Sequence, residues 1–86
     1  SIPPTLSEEQ LERRDIIYRM LVSLFEKAYI ILYSENMKAD AKRRWMSWED
    51  DMAEWCRKKE FVELLPELLE GEDDEFSRHI LAIAKN

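Results

Sequence analysis

From Thr5 to Leu65 the chain contains neither a glycine nor a proline. The only breakers elsewhere are Pro3, Pro4, Pro66 and Gly71. Uninterrupted sequence rich in Leu, Glu, Lys, Arg and Met favours helix, because these side chains lose little rotamer freedom there. The pattern predicts an all-α fold: a small bundle of three to four helices with one long N-terminal helix. The 86 residues fit a single domain spanning the whole chain. A domain this short buries only about 60% of the surface its unfolded chain exposes. Its stability therefore depends on a few large side chains, and one cysteine, Cys56, allows no internal disulfide.

Residues 1–6 read as an extended lead-in, since Pro3 and Pro4 hold the preceding backbone out of the helical region. Ser7 followed three residues later by Gln10 has the form of a capping box, and Thr5 with Glu8 offers a second version. Helix one should run from about residue 7 to about residue 36. It carries two adjacent apolar rows. One is Ile17, Leu21, Leu24, Ala28 and Ile31; the other is Tyr18, Val22, Phe25, Tyr29 and Leu32. Ile16 and Met20 widen the face, and the polar strip of Arg19, Ser23, Glu26 and Lys27 is narrow. So broad a face calls for cover from more than one neighbour. The three charges inside Ile16 to Tyr33 argue against a membrane span, at roughly 2.5–3.5 kcal/mol each at a bilayer centre.

After a turn near Ser34 to Lys38, helix two should run from about residue 39 to about residue 58. Its stretch RRWMSWEDDMAEWC places Trp45, Trp48, Met52 and Trp55 at steps of three, four and three, the spacing of one helix face. Phe61, Leu64, Leu65, Leu68 and Leu69 continue a helical period that Pro66 should break or kink. Gly71 suits a left-handed stop. Asp73 or Asp74 should cap the last helix, whose stripe is Phe76, Ile80, Ile83 and Ala84.

The tryptophans could form a pocket wall for a small molecule or peptide, but a core role is favoured. In so small a domain a few aromatics, each burying on the order of 200 Å², must supply much of the apolar interior. The basic clusters Arg13–Arg14, Lys42–Arg44 and Arg57–Lys59 are interleaved with acids, and the formal net charge is −6. That sign opposes phosphate binding, so no nucleic-acid partner is expected. A free cytosolic regulator contacting nucleic acid through Lys42–Arg44 is the weaker alternative. His79 lies four residues after Glu75, so the two can meet on one helix face. One histidine and one cysteine cannot close a zinc site without carboxylates, and one glycine cannot make a phosphate loop. No catalytic residue, metal ligand or cofactor is expected, and the chain reads as a non-enzyme. The residues offered for contact with a partner are Tyr18, Phe25, Tyr29, Tyr33, Trp48 and Trp55. A homodimer burying part of Tyr18, Phe25, Tyr29 or Tyr33 is the expected form of that contact.

The order of RRDIIYRMLVSLFEKAYIILY, RRWMSWEDDMAEWC, EFVELL and DDEFSRHI resembles a family of uncharacterised bacterial membrane-associated proteins. The resemblance rests on the run Leu24 to Tyr29, on Trp45, Trp48 and Trp55, and on Phe61 and Phe76. In that family an aromatic-rich helical segment follows one or two membrane-spanning helices, and no activity is assigned to it. The resemblance implies a domain on the cytoplasmic side, tethered to the inner membrane by segments outside this chain. A start at Ser1 instead of Met would suit a piece of a longer protein, and Arg13–Arg14 would suit a cytoplasmic flank. The expected role is a protein-interaction or assembly module.

Overall fold

The computed structural model describes residues 5–86, so the expected lead-in lies mostly outside it. Four helices follow in chain order: α1 Glu8–Leu32, α2 Ala39–Trp55, α3 Lys59–Leu68 and α4 Asp74–Lys85. No strand occurs among the described residues.

The helix starts and stops follow local chemistry. At the head of α1 the capping box forms at Ser7, not at Thr5. Gln10 N–H donates to Ser7 Oγ at 3.2 Å, and Ser7 N–H donates to Gln10 Oε1 at 2.9 Å. Two donors that would otherwise be orphaned at the helix end are thereby satisfied. Helix α1 stops at Leu32, earlier than the sequence pattern implies. Tyr33 turns to extended backbone, and its ring stacks on Tyr29 at 4.8 Å and 11°. Helix α2 also closes early, at Trp55. There Arg57 N–H donates to the Glu54 carbonyl and Lys58 N–H to the Trp55 carbonyl, bonds of the tighter three-residue kind.

Pro66 does not break α3, contrary to the sequence expectation: the helix runs through it to Leu68. Pro66 stands in the last turn, where its missing N–H forfeits one bond and little helix remains to disturb. Gly71 takes the left-handed conformation, with φ of 82°, and frees the chain to reverse into α4. Asp73 caps that helix, its Oδ2 accepting from Phe76 N–H at 2.9 Å.

Helix α1 is the spine, with α2, α3 and α4 all packed against it and α4 also against α2. Val22, Met52, Phe61, Leu65, Phe76 and Ile80 are fully buried where the helices meet. Phe25 and Trp45 are 2% exposed. The chain spans 50 × 29 × 19 Å. The shortest dimension equals about two helix diameters of ~10 Å, so the molecule is two layers thick. One layer is α1 and the other is made of the three shorter helices. Only one side of α1 is covered in this arrangement. The expected cover from more than one neighbour is supplied by three helices, but all three pack on the side carrying Tyr18, Val22, Phe25 and Tyr29, and the rest of the apolar face stays exposed.

Candidate interaction surface

The six aromatic residues singled out from the sequence are engaged within the chain. Tyr18, 7% exposed, meets Phe61 edge-on at 5.3 Å and Trp55 edge-on at 6.0 Å. Phe25 meets Trp48 edge-on at 6.4 Å. Tyr29 and Tyr33 pack on the Trp45 ring at 5.9 and 5.2 Å. Trp48, Trp55, Tyr29 and Tyr33 remain half-buried at the margin of the core. Such edge-to-face pairs contribute about 0.5–1.5 kcal/mol each beyond their buried area.

A polar cluster that the sequence did not reveal ties α2 to α4. Glu49 Oε1 accepts from Trp45 Nε1–H at 3.0 Å and lies 2.7 Å from His79 Nε2. A carboxylate can only accept, so the hydrogen of that second bond sits on Nε2. His79 also packs against both of the stacked Tyr29 and Tyr33 rings, 5.1 Å from each. The sequence pointed to Glu75, one turn away on the same helix, as its neighbour. The partner instead comes from another helix, a placement that only tertiary packing can make. One cue was available: Trp45 and Glu49 stand four apart on the helix that also carries the tryptophan row.

Three titratable groups have raised pKa values, each with burial as the largest cause. Burial pushes the Cys56 thiol up, away from the reactive thiolate. The Tyr29 hydroxyl is also raised, first by burial and then by Tyr33, Glu75 and Asp73, with Arg78 opposing. Glu72 is raised by burial, then by hydrogen bonding to and repulsion from Glu26, with Lys27 opposing. Glu26 meanwhile accepts the Asp73 backbone N–H at 2.6 Å, fastening the start of α4 to the spine. Among the described residues, no group of three His, Cys, Asp or Glu side chains is placed to hold a metal ion. No described helix is long and apolar enough to cross a membrane.

A shallow groove has Tyr18 and Trp55 in its floor and Arg13, Arg14, Lys58 and Lys59 around it. Three of these cations face carboxylates. Arg13 faces Glu9 at 3.0 Å, Arg14 faces Asp15 at 3.2 Å, and Lys59 faces Glu63 at 3.9 Å. Lys58 lies over the Trp55 ring at 5.5 Å. The acids cancel much of the field that four cations would otherwise project.

The largest unpaired apolar feature is the outer side of α1. Ile31 is 76% exposed, Met20 68%, Ile16 58%, Ile17 56% and Leu24 50%. Ile17, Met20, Leu24, Lys27 and Ile31 follow steps of three and four, the seam spacing of paired helices. Sequence reasoning found these apolar residues but took the aromatic row beside them as the contact surface. Periodicity shows how wide an apolar face is, not which part of it the rest of the chain will cover.

The chain matches no family model, no curated protein and no solved structure.

Proposed function

We propose that this chain is a non-catalytic interaction and assembly module that works through the outer side of α1. The observation that carries the reading is the run of large apolar side chains from Ile16 to Ile31, exposed on a helix whose opposite side is fully packed. Isolated exposed apolar residues are ordinary, whereas a contiguous patch of this extent marks a contact site. Recognition would proceed by burying that row against a complementary surface, with no bond made or broken. The tether to a bacterial inner membrane rests on the sequence resemblance alone. Hydrophobic spans encoded directly ahead of Ser1 would support it, and a start codon there would remove it.

The module reading is tested by placing a photo-crosslinking residue at Met20, at Ile31 and, as a control, at Asp50 on the exposed side of α2. Cross-linking in intact cells should give discrete adducts from the first two positions and none from the third. Equal yields at all three, or none at all, would remove the outer side of α1 from any role in recognition.

A further inference from the structure

We infer that the partner on the outer side of α1 is a second copy of this chain, packed antiparallel across a two-fold axis between Met20 and Leu24. The inference rests on the module reading and gives it a specific partner.

Area is the first argument. The exposed parts of Ile16, Ile17, Met20, Leu24, Ile30 and Ile31 amount to on the order of 700 Å² per copy, against roughly 800 Å² per partner in a standard stable interface. The largest apolar patch on an ordinary monomer covers about 300–600 Å². One helix therefore offers nearly the whole of what a symmetric dimer needs.

Shape is the second. The domain is two layers thick, with α1, about 37 Å long, forming one layer. Back-to-back pairing of two such slabs places α1 on α1 and converts two half-covered helices into the middle of a four-layer body. A two-fold contact uses the same patch on both copies, so a single exposed row is sufficient.

Charge decides the direction. In a parallel, in-register pair Lys27 would face Lys27, and Arg13 would face Arg13. An antiparallel pair about the point between Met20 and Leu24 sets Met20 against Leu24 and Lys27 against Ile17. The lysine stem can then lie on the isoleucine while its ammonium reaches water. The opposed helix dipoles also favour this direction.

Purified chain tests the inference by light scattering and sedimentation. The expected species at 100 µM is twice the 10.4 kDa chain mass. Leu24→Glu should give the single-chain mass with the helical circular dichroism retained, because Leu24 is 50% exposed and lies outside the buried core. Met46→Glu, an equally apolar-to-acidic change at an exposed site on α2, should remain dimeric. A spin label at Glu12→Cys in a Cys56→Ser background reads direction. Position 12 lies ten residues from the axis, so antiparallel pairing separates the two copies by ~30 Å or more along the helix; a parallel pair brings them within about 20 Å.

A wild-type chain that stays at single-chain mass at several hundred micromolar overturns the inference, as does a dimeric Leu24→Glu variant or the short label separation. A monomer that floats with phosphatidylcholine vesicles would assign the row to a lipid surface and also overturn it. In-cell adducts from Met20 and Ile31 to a different protein, with a monomeric purified chain, would overturn the second copy while leaving the module reading intact.

Discussion

At the scale of single residues, the fold depends on a few fully enclosed side chains and on one shared carboxylate. Phe61 is buried where Tyr18 and Trp55 converge on it, and truncation would leave a cavity among rings that cannot collapse around it. Phe61→Ala should cost about 3–5 kcal/mol, a large part of the ~5–15 kcal/mol typical of a domain. Urea denaturation should show the midpoint falling steeply, and a loss under 1 kcal/mol would contradict the packing described. Glu72 contributes to the pH dependence of stability. A carboxyl raised by folding binds its proton more tightly in the folded chain. Its contribution to stability is full below the unfolded value of ~4.3 and is lost as pH rises through the higher folded value. At neutral pH the ionised group is disfavoured first by burial and then by repulsion from Glu26. Glu72→Gln should therefore raise the melting temperature at pH 7 and leave it nearly unchanged at pH 3.5. An equal effect at both pH values would show that ionisation of Glu72 is not the cause.

At the scale of elements, the joints between helices separate backbone cost from side-chain contact. A methyl group added at Gly71 would meet nothing within 4 Å, so Gly71→Ala reports only the left-handed backbone at φ +82°. The penalty should be roughly 1–2 kcal/mol, and thermal melts of the variant should register it. Asp73→Ala should cost about 1 kcal/mol through loss of the cap on Phe76, while its own backbone bond to Glu26 survives. The same joints show what a sequence can disclose. The Ser7–Gln10 box, the Gly71 stop and the Asp73 cap depend on residues within four positions of one another, so they were legible in advance. So was the division of α2 into a bulky apolar row and charged flanks. The early end of α1 was not, because it follows from Tyr33 leaving the helix to stack on Tyr29 and meet Trp45 edge-on. The continuity of α3 through Pro66 and the meeting of His79 with Glu49 likewise depend on where distant elements settle. The candidate site was half legible. The apolar width of α1 was plain, but the covered part could be known only once three short helices had been placed on one side of it.

At the scale of the whole molecule, net charge and apolar surface act against each other, and salt should tip the balance. Each chain carries a formal −6, with an isoelectric point near 4.8. Two copies packed through α1 place their centres roughly 20 Å apart, the thickness of one slab. Treated as point charges in water, they repel by several kcal/mol before screening. The Debye length falls from ~30 Å at 0.01 M salt to ~8 Å at 0.15 M, so most of that repulsion vanishes over this range. Burial of Met20, Leu24 and their neighbours is insensitive to screening, since no charge is involved. The dimer dissociation constant should therefore fall on the order of a hundredfold between 0.01 and 0.15 M sodium chloride, as read by sedimentation equilibrium. Contact with a nucleic acid through Lys42–Arg44 would move the opposite way, because salt weakens phosphate binding. Association that weakens with salt would mean that ion pairs, and not the apolar row of α1, hold the copies together. Reversing an exposed acid on α2, Asp50→Lys, should lower the salt dependence without touching the interface, since each copy would then carry −4 in place of −6. A change in affinity at 0.15 M of comparable size to that at 0.01 M would place Asp50 at the contact itself and move the interface from α1 to α2.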